Sequence, residues 1–391
     1  MKPRLHAIDA IRGYCLVNIF VNHINVGVLN TVSPSNFGFS DSAELFVLLA
    51  GISTYLAYGN LEFRETMARL WIRAAKLYKY NLVLIALTLV CLYGIARMVG
   101  PTVILDQPLI KVLATRDAPT VLWHVIGLGQ SVGFSMVLRL YIVLMIAAPA
   151  LLWLASRRWW LALPPAVVIW ALAGQFGLVA HDSLTGTRLT LTILPWTLIF
   201  ACGVALGAAM RQGVEPPRSP WLTTAALTVV LGYFVVLYSL PVWPEGQAWA
   251  AAREEHFWLG SSKTYQSPLR ILHVLSLAYL FMAFPKAPLL RLIHRVAADN
   301  PLVRLGQNSL RVFTFGAVVA VLANQIVSLA NLRHGAGSPQ AVATEIALVV
   351  LGLAGMIAVA DLLKPEQRRP RTTFPAAITT SAEEARDRLA A

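Results

Sequence analysis

Apolar residues come in runs of about twenty along most of this chain, separated by short breaks that are basic or contain Pro and Gly. A helix rising about 1.5 Å per residue needs about 20 apolar residues to cross a hydrocarbon layer of about 30 Å, so each run predicts a membrane-spanning helix. The runs fall at residues 8–29, 44–60, 80–99, 133–155, 159–179, 191–210, 220–240, 268–285, 308–331 and 339–363. They predict an all-α, polytopic transmembrane bundle of about ten helices over residues 1–363. The tail, 364–391, is polar and Pro-containing at first, and is expected to be disordered or weakly helical.

The breaks alternate in charge. One set holds Lys2 and Arg4; Arg64, Arg69, Arg73, Lys76 and Lys79; Arg157 and Arg158; Arg211 and Arg218; Lys286, Arg291, Arg295 and Arg304; and the tail from Lys364. The opposite set, at 30–43, 100–132, 180–190, 241–267 and 332–338, has few basic residues and more aromatics, Asp, Ser and Thr. The positive-inside rule then predicts that both termini, and the tail, lie in the cytoplasm. The segment MKPRLHAIDAIRG starts basic, but the run that follows contains charged residues and no small-residue cleavage site. The first helix is therefore expected to stay in the protein.

Composition agrees. Hydrophobic residues make up 57% of the 391 positions and charged residues 13%, as in a membrane protein. A net charge of +13 would also suit a nucleic-acid binder, yet the basic residues sit between apolar runs and form no face interleaved with aromatics. No nucleic-acid partner is expected; membrane lipids are. Cys15, Cys91 and Cys202 all lie inside runs without CxxC spacing, so neither a disulfide framework nor a metal site is predicted. No internal repeat is visible, so the inverted-repeat signature of many secondary transporters is missing.

Asp9, Arg12, Asn18, Asn22, His23 and Asn25 interrupt the first run. A charged group at a span's centre costs about 2.5–3.5 kcal/mol on insertion scales, so such groups face protein or a wet cavity and mark a site. Arg12 and His23 are eleven positions apart, which returns the helix to within about 20° of its starting face at a separation of about 16 Å. Asp9 and Arg12 also have the i, i+3 spacing of a structural pair. His23 lies too deep to snorkel to the inner face, and an imidazole can take a proton from a hydroxyl if a carboxylate orients it. Glu44, in the first turn of the second run, falls at the same depth; it also reads as an acid favoured by the helix dipole. Asp41 and Ser42 read as caps of that helix.

Further polar groups at membrane depth are Arg139 in the fourth run, and Arg270 with His273 at the start of the eighth. The outer breaks add Trp123, His124, Trp243, Trp249, Trp258, Lys263 and Tyr265. The aromatics among them suit stacking on sugar faces, and equally an interfacial aromatic belt.

DAIRGYCLVNIFVNH, FGFSDSAELFVLLAG, LPWTLIFACGVALG, KTYQSPLRILHVLSLAY and LVRLGQNSLRVFTFG occur in that order. The first resembles the signature of the acyltransferase-3 superfamily of membrane acyltransferases. Together the five are similar to the OpgC family, which succinylates osmoregulated periplasmic glucans, over about residues 5–330. The resemblance implies an enzyme of the bacterial inner membrane that uses acyl-CoA, succinyl-CoA above all, as donor and a periplasmic glucan as acceptor, with no tightly bound cofactor. It implies that His23 is the catalytic base, that Arg12 serves acyl-CoA binding or site electrostatics, and that Glu44 supports the site, with Asp9 beside Arg12. Relatives usually carry a Ser before the Gly that ends the second motif; here Ala50 precedes Gly51.

On this reading the CoA phosphates meet Arg12, Arg69, Arg73, Lys76 and Lys79 at the inner face, where Arg and Lys suit phosphate. The same basic segment also reads as topology charge in contact with anionic lipid. The acceptor approaches past Trp123, His124, Lys263, Arg139, Arg270 and His273. A transporter or exporter of a glycan or organic anion would carry similar intramembrane polar groups. A membrane scaffold would not need an outer-half His matched to a carboxylate.

Overall fold

The computed structural model describes residues 6–24, 26–31, 33, 38–99, 118–130, 132–184, 186–239, 242–285, 287, 293 and 296–362. The tail, Lys2, Arg4, Asn25, Lys286, Arg291 and Arg295 lie outside these residues. The helices are α1 (His6–Asn22), α2 (Ser42–Tyr58), α3 (Phe63–Val99), α4 (Ala118–Ile126), α5 (Met136–Arg157), α6 (Leu163–Gln175), α7 (Ile193–Gln212), α8 (Pro220–Ser239), α9 (Pro244–Ala252), α10 (Pro268–Ala283), α11 (Pro301–Gln307), α12 (Ser309–His334) and α13 (Pro339–Leu362). A 3-10 turn, Trp159–Ala162, leads into α6. Among the described residues the only β feature is one isolated bridge between His181 and Arg188. The protein is thus all-helical, as the apolar runs predict.

Five helices, α3, α5, α7, α12 and α13, are long and apolar enough to cross a membrane. Shorter apolar helices lie at Ser42–Tyr58, Trp159–Gln175, Pro220–Val236 and Pro268–Ala283. Two expected boundaries are corrected. The basic break at residues 64–79 is not a loop: α3 is one helix of 37 residues, about 55 Å long, that carries Arg64 to Lys79 on its first turns. No Pro or Gly interrupts that segment, and Arg69 pairs with Glu65 one turn earlier (2.6 Å), so the helix runs on through it.

The second correction is α1, which stops at Asn22 although the apolar run continues to residue 29. The His23 carbonyl accepts from Asn324 Nδ2 (2.5 Å), while the Gly27 N–H turns back to the Ile24 carbonyl (3.4 Å). The last turn tightens as the His23 N–H is shared between the Ile19 (3.0 Å) and Phe20 (3.2 Å) carbonyls and the Ile24 N–H bonds Val21 (3.1 Å).

The core is built round α7, whose Trp196 and Phe200 are fully buried. Glycines let α2 approach it closely. A Cβ on Gly51 would lie 2.3 Å from the Phe200 carbonyl oxygen, and one on Gly203 2.1 Å from that of Leu48. Gly13 and Gly306 do the same between α1 and α11, with a Cβ falling 1.9 Å from the Leu302 oxygen and 1.8 Å from the Asp9 oxygen. Rigid carbonyls, not flexible side chains, block these positions. Gly203→Val is expected to separate α2 from α7 and to lower the thermal midpoint of the detergent-solubilised protein, at a cost of about 1–3 kcal/mol. An unchanged midpoint would mean that the two helices are free to shift.

Candidate active site

Asp41 and Glu44 begin α2 and divide their oxygens between two tasks. Asp41 Oδ1 accepts from the Ala43 N–H (2.7 Å) and Glu44 Oε2 from the Asp41 N–H (3.0 Å), so together they cap the helix. The other oxygens hold cations. Asp41 Oδ2 meets Lys263 Nζ (2.6 Å) and Arg270 Nη2 (3.2 Å). Glu44 Oε1 takes Arg270 Nε (2.7 Å), Arg270 Nη2 (2.7 Å) and Gln266 Nε2 (3.0 Å). Glu44 is 0% exposed, and two carboxylates balance two cations, which is what burying such charges demands. Burial alone would push the Asp41 carboxyl up, but Lys263 and Arg270 outweigh it and hold it well below the usual carboxylate range.

The turn ahead of α10 presents the cations. Ser262 donates its N–H to Ser267 Oγ (2.9 Å), and Gln266, at φ 51°, occupies the left-handed region rare for a non-glycine residue. That conformation accompanies a side-chain amide turned toward both Glu44 and the Lys263 carbonyl. His273 shares a hydrogen bond with Ser40 Oγ (2.7 Å) and so ties α10 to the segment before α2. Asn18 of α1 donates to Ser42 Oγ (2.5 Å) and accepts from Ser33 Oγ (2.8 Å), which joins α1 to the same end of α2.

His23 stands immediately after α1, its ring stacked on Phe134 with centroids 3.6 Å apart. The structure does not join it to Glu44, whose carboxylate is used up by Arg270, Gln266 and the helix cap. The ring of His23 makes no hydrogen bond to any described residue. A narrow, largely apolar cleft reaches His23 along α1, lined by Leu16, Ile19 and Phe20, by Phe313 and Gly316 of α12, and by Met356 of α13. Positions 12, 16, 19 and 23 fall within about 60° of one another round the helix axis. Arg12 is therefore on the cleft's face, one turn before Leu16.

Arg12 has taken partners there: Asp9 Oδ1 (3.3 Å) and Ser53 Oγ of α2 (2.5 Å). The structural pairing with Asp9 is real. Arg73 of α3 is exposed, and Tyr141 of α5 donates to the Phe46 carbonyl (3.0 Å). Lys79 is exposed, Lys76 half-buried, and Arg69 committed to Glu65.

A family model described as OpgC protein matches residues 4–368, nearly the whole chain. The chain belongs to the OpgC family. No curated protein and no solved structure matches it. OpgC membership points to an acyltransferase-type membrane enzyme, and the apolar helices agree with a place in the membrane. Within this OpgC chain, the outer candidates are scattered. Trp123 is 74% exposed, and His124 pairs with Ser183 Oγ (2.8 Å). Trp249 and Trp258 donate to the Leu259 carbonyl (2.7 Å) and Gln175 Oε1 (2.8 Å), and Trp243 is exposed. Tyr265 is buried against Phe257 and is corrected from a sugar-stacking residue to a core one.

Arg139 is 5% exposed, its Nη1 donates to the Leu128 carbonyl (3.3 Å), and its Nε and Nη2 are buried without a hydrogen-bond partner. Sequence reasoning missed Asp41 as an ion-pair partner, along with Gln266, Ser53, Phe134, Asn324 and Glu345. The run SDSAE signals a cap, and nothing in it signals a cation arriving from residue 270.

Proposed function

We propose that this OpgC-family protein transfers an acyl group, succinyl by preference, from cytoplasmic acyl-CoA to a hydroxyl of a periplasmic glucan. It is read as a bacterial inner-membrane enzyme of about ten spans with both termini inside. The observation that carries the reading is the cleft along α1, which ends at an imidazole that makes no hydrogen bond to any described residue, with Arg12 one turn before Leu16 on the same helix face. The CoA phosphates would remain among Arg12, Arg73, Lys76 and Lys79, with the thioester brought to His23.

In this mechanism His23 takes the proton of the glucan hydroxyl as its oxygen attacks the thioester carbonyl. The tetrahedral intermediate collapses, the C–S bond breaks, and the CoA thiolate leaves with the proton returned by His23. Lys263, paired with Asp41 ahead of α10, would be the cation that favours the developing oxyanion. The Asp41, Glu44 and Arg270 network keeps Lys263 and the start of α2 in place. Arg270 is saturated by carboxylates, so Arg139, with two unpartnered donors, is the arginine open to the free carboxylate of a succinyl group.

Purified protein in liposomes or nanodiscs, supplied with radiolabelled succinyl-CoA and glucan, is expected to label the glucan. Transport of free glucan or succinate across the bilayer without labelling would favour the exporter reading instead. Arg139→Gln is expected to reduce the preference for succinyl-CoA over butyryl-CoA by about 10- to 100-fold, the range for one lost charged hydrogen bond (about 1.5–3 kcal/mol). Equal losses for both thioesters would remove Arg139 from donor recognition.

A further inference from the structure

Glu345 is a carboxylate in α13, a helix apolar enough to cross the membrane, and it is 1% exposed. A buried carboxylate without a cation is costly unless fixed donors replace its water. Both of its oxygens are so engaged: Oε2 accepts from the Val28 N–H (2.8 Å) and Oε1 from the Leu29 N–H (2.9 Å). Asn324 of α12 holds the same stretch from its start, donating to the His23 carbonyl (2.5 Å) and accepting from the Val26 N–H (3.5 Å). Asn331, two turns along α12, donates to the Val26 carbonyl (3.0 Å). Gly27 makes room, since a Cβ there would fall 2.0 Å from Glu345 Oε1.

Three side chains of α12 and α13 thus grip the backbone of residues 23–29 through five hydrogen bonds. None of the three touches the cleft, and none of their bonds reaches a side chain of residues 23–29. What they fix is where α1 ends and therefore where the imidazole that follows it stands. We infer that Glu345, with Asn324, is a positioning residue for His23. It anchors the turn after α1 so that the ring stays against Phe134 at the end of the cleft. The inference rests on the reading of His23 as the base.

Glu345→Gln replaces one acceptor oxygen by an N–H₂ facing a backbone N–H, and Gly27→Ala displaces the flexible end of Glu345 without meeting a rigid carbonyl. Each is expected to lower kcat for succinyl transfer by about 10- to 100-fold, as for an ångström-scale misplacement of a reacting group. KM for the thioester should stay unchanged, because Arg12 and the basic turns of α3 are untouched. The double variant should be no slower than the slower single one, since both lose the same anchor. Hydrogen–deuterium exchange of the peptide spanning residues 23–31 should rise in all three, a readout independent of turnover. Wild-type exchange and wild-type kcat in the variants, losses that multiply, or losses confined to KM would each overturn the inference. His23→Ala, run alongside, separates the cases: if it transfers normally, the base assignment itself has failed, whereas an inactive His23→Ala beside fully active clamp variants rejects only the positioning role.

Discussion

His23→Ala is expected to slow succinyl transfer by about 10²- to 10⁴-fold, the usual contribution of a positioned general base, while thioester binding stays close to that of the wild type. The physical reason is a division of labour along α1. On the proposed function, affinity for CoA would depend on the phosphates near Arg12, about 16 Å away on the same helix face, and the imidazole would contribute only once a hydroxyl must be deprotonated. Stability should change little. The ring stacks on Phe134 and makes no hydrogen bond to any described residue, so its removal strands no buried polar partner. Single-turnover transfer with purified protein, combined with direct CoA binding, checks both halves. Transfer at the wild-type rate removes His23 from the mechanism, and loss of CoA binding in step with transfer means that His23 holds the donor instead.

Arg270→Ala is expected to act on the fold first. It leaves Glu44, fully buried, with only Gln266 and its own helix cap, and it takes from Asp41 one of two cations. Breaking a buried ion pair from one side costs about 3–5 kcal/mol, because the remaining charge is still dehydrated. Thermal unfolding in detergent should show a large fall in the midpoint. Adding Glu44→Gln to Arg270→Ala should restore part of it, as the stranded charge is then gone. Arg270→Lys should be intermediate, keeping the charge but losing the fork by which Nε and Nη2 both meet Glu44 Oε1. A midpoint unchanged by Arg270→Ala would mean that water reaches Glu44 and that the cluster is not the buried anchor described above.

Much of the architecture is legible in the chain because apolar runs of spanning length leave few alternatives to helices. The helical character, the apolar stretches and the polar residues concentrated in the first run all follow from one-dimensional pattern. The boundaries of α1 and α3 do not. The α1 apolar run continues to residue 29, but the helix ends at Asn22, and the turn beyond it is held by Asn324, some three hundred positions away, through the His23 carbonyl. Basic residues at 64–79 look like a loop to a hydropathy argument, yet nothing in them breaks a helix, and α3 carries them as surface charge.

The site divides in the same way. Arg12, His23, Glu44, Arg139, Lys263, Arg270 and His273 are visible in sequence because each is an expensive residue in or beside an apolar run. Their pairing is not visible. Equal depth suggested that Glu44 orients His23, but a carboxylate goes to the strongest donors in reach, and the guanidinium of Arg270 with the Gln266 amide outcompetes an imidazole. Asp41 read as a cap and is one, while its second oxygen holds Lys263.

By itself the sequence determined which residues are costly to bury, the helical class and, through five ordered motifs, the OpgC resemblance that the family match over residues 4–368 bears out. Only the tertiary structure decided which acid meets which base, where α1 stops, and that Glu345 holds the turn beyond His23. The reason is physical: hydropathy is a property of each residue and sums along the chain. Hydrogen-bond and ion-pair partners are chosen by distance and competition between segments far apart in sequence.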